Sequence, residues 1–168
     1  MSDLTRGHYQ DYSLTTARHP SETDERLACR IIAFALNAHE DLVFAKGLSH
    51  DQEPDLWQKS LDDRILKWVE VGQPDEKKLR RISGRSESIE IYCYQLNSAQ
   101  VWWKNIRKQA LKLPKLNVHL ISTQSNTTMS AIIDRTMDLN CVIEDNLISI
   151  SSNANESLNL IVELQQMT

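Results

Sequence analysis

"KWVEVGQPDEKKL", Lys67 to Leu79, joins a strand to a helix with an acid near the junction. A side-chain period of two puts Leu66, Trp68, Glu70 and Gly72 on one face and Lys67 on the other. A glutamate sharing a face with Leu66 and Trp68 needs a partner other than plain solvent. Pro74 then opens a short helix, "PDEKKLRRI", with acids in its first turn and bases after them.

Just upstream, "EPDLWQK" (Glu53 to Lys59) reads as a second strand, joined to the first across the charged "LDD". Alternation places Asp55, Trp57 and Lys59 on one face. Two carboxylates on adjacent strands, Asp55 and Glu70, can hold a hard divalent cation, with waters and a substrate phosphate completing its shell. The plainer alternative is that Asp55 only starts a strand and Glu70 pairs with an arginine.

Further out, "LVFAKGL" is a short strand ended near Gly47, and "YSLTTA" alternates and is rich in β-branched residues, which predicts a strand. Between them, "RHPSETDERLACRIIAFALNAHE" predicts a largely buried helix, with Ser21 and Asp24 as a capping box. Downstream, "SIEIYCYQ" and "LNVHLIS" are strands around the helix "SAQVWWKNIRKQALKL". "TTMSAIIDRTM" is a short helix, "NCVIEDNLISISS" a hairpin turning near Asp145-Asn146, and "LNLIVELQQ" a last strand. Hairpin-linked strands followed by helical crossovers predict an α/β (α+β) fold, a mixed sheet flanked by helices.

The chain has 168 residues, 40% of them hydrophobic and 25% charged, which suits one globular domain with a real core. Four Gly and four Pro leave little room for a linker. A net charge of -4 argues against coating nucleic acid by bulk attraction, and leaves a local basic patch open. Cys29, Cys93 and Cys141 lie in apolar runs without a C-x-x-C pair, as buried thiols of a reduced cytoplasmic protein do. No segment approaches the ~20 apolar residues of a membrane span.

Other candidates stand beside the two acids. On a 3.6-residue period Glu25 aligns with Ala28, Cys29 and Ile32 on the apolar side, whereas Glu22 pairs with Arg26 on the outer side. Glu25 is either a metal ligand or a helix-dipole carboxylate. Arg18 and His19, with the free N–H groups of the following helix, could bind an anion such as phosphate. "KKLRR" and "KNIRKQALKLPK", near Trp102 and Trp103, could grip a nucleic-acid backbone. The competing picture is basic residues on outer helix faces and tryptophans in the core.

At "LTTARHPSETDER" the sequence resembles the YaeQ family, which carries an A-R-H-P-S-E-T block at this point. The likeness continues through "GLSHDQEPDLW", "WVEVGQPDEKKL", "NSAQVWW" and "DRTM", and covers essentially the whole chain from about Ser2. It implies a variant of the PD-(D/E)xK restriction-endonuclease-like fold. Residues 1–20 would be an N-terminal segment, 21–121 a nuclease-like core and 122–168 a β-rich extension, all in a single domain.

The resemblance makes Pro54-Asp55 the Pro-Asp element, Glu70 the acidic element and Glu25 the helix glutamate. The family's biochemical function is unsettled, and one expectation is a phosphodiesterase acting on nucleic acid, with Asp55 and Glu70 holding Mg²⁺ with help from Glu25. Gly72 stands where the signature carries Lys. Lys59 and then Lys104 are the expected replacements. Gln100 resembles the Gln of a Q-x-x-x-Y element, although position 104 is Lys. The alternative is a binding or regulatory module without turnover, for which nucleic acid and protein partners are both open. Family members also begin with one more strand, which this sequence is expected to lack or to carry upstream of Met1; without it the bare edge is expected to dimerise, to aggregate, or to be filled by "YSLTTA" or a strand of the C-terminal tail.

Overall fold

The computed structural model describes residues 1–45, 52–124 and 127–168. The expected end of a strand at Gly47, and part of the "GLSHDQEPDLW" block, lie outside the described residues. Among the described residues, ten strands form one curled sheet, accompanied by three α-helices. The strands are β1 (Ser2–Asp3), β2 (His8–Tyr9), β3 (Leu42–Phe44), β4 (Leu56–Lys59) and β5 (Ile65–Val71). They continue with β6 (Ser86–Cys93), β7 (Leu116–Thr123), β8 (Leu139–Glu144), β9 (Leu147–Ser152) and β10 (Asn159–Gln166). Their order across the sheet is β2-β1-β8-β9-β10-β7-β6-β5-β4-β3.

The helices are α1 (Asp24–Asn37), α2 (Glu76–Ser83) and α3 (Leu96–Ala110). β5, β6 and β7 run parallel because α2 and α3 cross over between them. The hairpins β4–β5 and β8–β9 are antiparallel, as the short charged and Asp145-Asn146 links require. Asp145 takes φ 52°, a left-handed turn conformation that Asp tolerates.

The sheet divides the core in two. On one side α1 packs through Ala28, Ile32 and Phe34 against Leu56, Val69, Val71, Ile121 and Leu160. On the other, α2 and α3 bring Leu79, Ile82, Ala99 and Ile106 onto Trp68, Ile89, Ile91 and Val118. Alternation along β5 sends Trp68 to one core and Val69 to the other.

Two expectations are corrected. Thr23, not Ser21, caps α1: its hydroxyl accepts the Arg26 N–H at 3.2 Å. Ser21 instead meets His19 Nδ1 at 2.7 Å, because the turn at Pro20 and Ser21 ends two residues before the helix. The stretch Tyr12–Ala17 joins no ladder among the described residues. Its β-branched alternation encodes extended backbone, but a ladder also needs a neighbouring strand. The segment is held by its ends, with Tyr12 edge-on to Phe34 and the Ala17 carbonyl accepting from Arg30 Nη1.

Candidate functional site

Asp55 lies in a bend immediately before β4. The bend takes its side chain out of the alternation expected with Trp57 and Lys59. Its Oδ2 accepts the Val71 N–H at 2.7 Å. Arg26 Nη2, from the first turn of α1, donates to both carboxylate oxygens at 2.8 and 3.0 Å. Arg30 Nε stands 3.3 Å from Oδ1, close enough to pair charges but not aligned to hydrogen-bond; among the described residues Arg30 Nε and Nη2 meet no hydrogen-bond acceptor.

Glu22 completes this cluster. Arg26 Nη1 donates to its Oε1 at 2.7 Å, and Arg30 Nη1 reaches its Oε2 at 3.0 Å. The pairing with Arg26 is the expected one, but Glu22 is buried and does not lie on the outer side. Residues 22, 26 and 30 are spaced i, i+4, i+8, one line along a helix face, and this spacing was the available sequence signal. Two arginines face two carboxylates, so the cluster is neutral, as burial demands. Burial works against the Arg26 charge, yet Asp55 and Glu22 outweigh it and hold the guanidinium above its usual range.

Glu70 answers to the other side of the sheet. Lys78 Nζ, from α2, lies 2.5 Å from its Oε1, and Trp68 Nε1 donates to its Oε2 at 3.0 Å. Burial pushes the Glu70 carboxyl up, the Asp55 charge adds to this, and Lys78 opposes it. The partner is therefore a lysine rather than an arginine. It arrives because Asp75 caps α2, accepting the Lys78 N–H, only four residues beyond the end of β5. So short a link folds the first turn of α2 back over the strand end.

The remaining candidates are elsewhere. Lys59 bonds Asp63 at 3.3 Å and covers the Trp57 ring, and Lys104 and Gln100 are exposed on α3. The ammonium beside Glu70 is thus that of Lys78, and neither expected lysine supplies it. Lys67 faces away from Glu70, as alternation requires, and donates to Asn37 Oδ1 at 3.1 Å. Glu25 is half-buried; the acid that joins the Asp55 cluster is Glu22.

Arg18 is spent on its own chain, with Nη1 2.7 Å from Asp24 and two further bonds to the Glu22 carbonyl. His19 is bonded to Ser21. The anion site expected there is therefore occupied by internal partners. Trp68 is fully buried, and Trp102 and Trp103 are half-buried against the second core. Trp102 Nε1 donates to the Pro74 carbonyl at 2.8 Å. All three cysteines are free thiols, with Cys29 and Cys93 buried and Cys141 partly so.

These residues do not fit Mg²⁺ as they stand. Oδ2 of Asp55 already accepts two hydrogen bonds; Oδ1 accepts one and faces a second cation. Among the described residues no group of three or more His, Cys, Asp or Glu is placed to hold a metal ion. Mg²⁺ asks for oxygens free to complete an octahedron, and here basic side chains occupy them.

The family model described as "YaeQ protein" matches residues 1–160. The chain belongs to the YaeQ family. It is 35% identical to "Uncharacterized protein YaeQ" of Escherichia coli (strain K12) over 155 residues, 92% of this chain and 86% of that protein. With the YaeQ protein of Salmonella typhi it shares 34% over 164 residues, 98% of this chain and 89% of the relative. The crystal structure of YaeQ from Xanthomonas axonopodis pv. citri superposes with TM-score 0.89 at 34% identity, covering 99% of this chain and 93% of that one. YaeQ from Pseudomonas syringae gives 0.88, also at 34%, covering 99% and 90%. No helix among the described residues is long and apolar enough to cross a membrane.

Proposed function

We propose that this YaeQ-family chain is a nucleic-acid-binding module that holds the phosphate backbone on its α2–α3 side without cutting it. The observation that carries the reading is an uncompensated basic surface. Residues 96–115 hold five basic side chains and no acidic one. Lys104, Arg107, Lys108 and Lys112 are exposed and form no ion pair among the described residues. Between residues 75 and 115 lie ten of the 19 basic and four of the 23 acidic residues, so this stretch carries +6 in a chain of net charge -4. Such segregation creates a local field that a polyanion senses although the whole chain is acidic.

The carboxylates fit the same reading. Asp55 and Glu70 are neutralised by Arg26, Arg30 and Lys78, which supports a structural role for them. A second reading, a Mg²⁺-dependent phosphodiesterase on a variant PD-(D/E)xK scaffold, draws support from the Lys78 ammonium beside Glu70. It requires Arg26 to leave Asp55 before a metal enters.

One experiment separates them. Binding of a labelled DNA duplex is measured by fluorescence anisotropy across a salt series, with and without Mn²⁺. The module predicts saturable binding whose logarithm falls with log[salt] by about 0.9 per phosphate contacted. Lys104→Glu with Lys108→Glu should weaken it at least about tenfold, roughly 1.4 kcal/mol. No binding at low salt, or full binding by the variant, overturns the module. Cleavage that needs Mn²⁺ and disappears in Asp55→Ala establishes the second reading instead.

A further inference from the structure

α3 divides its exposed face by chemistry along its length. Residues 96–103 carry no charge, whereas residues 104–115 carry five basic side chains and no acidic one. A helix that only gathered phosphates would gain from charge along its whole length. The first two turns instead expose two carboxamides, Asn97 and Gln100, whose side chains meet no partner among the described residues. Val101 stands beside them, 63% exposed.

The rest of α3 fixes where these groups point. Ala99, Ile106 and Ala110 are buried in the second core. Trp102 Nε1 donates to the Pro74 carbonyl on one flank of that buried stripe, and Trp103 Nε1 to the Thr168 carbonyl at 3.4 Å on the other. On a 3.6-residue period Asn97, Gln100, Val101, Lys104 and Lys108 fall together on the opposite arc, away from both flanks. All five are exposed. The 15 residues of α3 make a rod ~22 Å long. The major groove of B-form DNA, about 12 Å wide, admits such a helix.

We propose that α3 lies in the major groove of B-form DNA and reads base edges there, Asn97 and Gln100 each on an adenine and Val101 on a thymine methyl group. This rests on the α2–α3 side being the nucleic-acid surface, and adds that the partner is a duplex recognised by its sequence. A carboxamide offers one acceptor and one donor side by side, which match the N6 amino group and the N7 acceptor of adenine. Asn97 and Gln100 are three residues apart, ~4.5 Å along the axis, near the 3.4 Å base step, so they meet adjacent base pairs. The basic side chains of the later turns hold the flanking phosphates, which fix the register but carry no sequence.

The test is selection by the full chain from a pool of DNA duplexes randomised at their centre. A short site with adenines at adjacent base pairs should be enriched, and bound at least about tenfold more tightly than a scrambled duplex of the same composition. Exchanging those adenines for their 7-deaza analogue removes the N7 acceptor and keeps the base pairing; it should weaken the site at least about fivefold. Asn97→Ala and Gln100→Ala should each lower the ratio of selected to scrambled affinity at least about fivefold, whereas Lys112→Ala should weaken both duplexes alike and keep the ratio. An RNA duplex of the selected sequence should bind no better than scrambled DNA, because its major groove is too deep and narrow for a helix. Duplex binding without an enriched site leaves the phosphate-holding reading in place and overturns this inference. A preference that survives the 7-deaza exchange or both alanine variants overturns it too, as does equal binding of the RNA duplex. No binding to any duplex at low salt overturns both.

Discussion

Arg26 Nη2 donates to both oxygens of Asp55, tying the first turn of α1 to the bend before β4 across 29 positions of sequence. Asp55→Ala leaves the fully buried Arg30 and the largely buried Arg26 facing Glu22 alone. Removing one partner of a buried charge cluster costs about 3–5 kcal/mol. Urea unfolding should show a loss of that size with an unchanged slope. A loss near that of an ordinary surface substitution would mean that Asp55 does not hold α1 to the sheet.

Gly72 directly follows β5, and its φ is +122°. A Cβ there meets nothing within 4 Å, so the obstacle to a side chain is the backbone and not space. Gly72→Lys should cost about 1–3 kcal/mol through this strain. A thermal melt checks it: equal or higher stability would show that the turn relaxes at no cost. Lys78 reaches Glu70 from α2, and position 72 contributes no side chain.

Glu70 makes stability depend on pH. The folded state holds its proton more tightly than the unfolded chain, whose ordinary value is 4.5. The stabilisation from that proton is complete below the unfolded value and is lost as pH rises through the raised folded value. Glu70→Gln cannot titrate. The parent should therefore lose stability relative to this variant as pH climbs from about 4.5. Parallel melting curves across that range would contradict the shift.

Thr23 and Ser21 offer a test of the helix start. Thr23→Ala should cost about 1 kcal/mol, because its hydroxyl satisfies the Arg26 N–H. Ser21→Ala should cost a few tenths at most, since its hydroxyl meets only His19 in an exposed turn. Paired denaturation curves decide between the two caps.

Periodicity carried most of the fold. β5 and β6 are alternating runs bounded by turn chemistry, and the Asp145-Asn146 hairpin has the residues its left-handed turn needs. The failures share a cause. Thr23 and Ser21 are both good caps, and only tertiary packing selects one. Tyr12–Ala17 has strand composition, but pairing belongs to the neighbour as much as to the segment. The two acids stood out through their faces and positions, whereas Arg26 and Lys78 read as bases on outer helix faces and nothing singled out Arg30. A base is recognised as a buried partner only once the acid it meets, from another element, is known.

β10 lies between β9 and β7, yet it is the last strand in chain order. During synthesis, two half-sheets therefore emerge with no seam to join them. β7 and β9 wait with bare edges, each a template for wrong pairing with another nascent chain. The contacts that end this exposure are long-range, so closure is slow compared with forming a hairpin. A stop codon before residue 159 thus does more than trim one strand: it leaves two sheets that never meet, and such a truncated product is material for a chaperone or a protease.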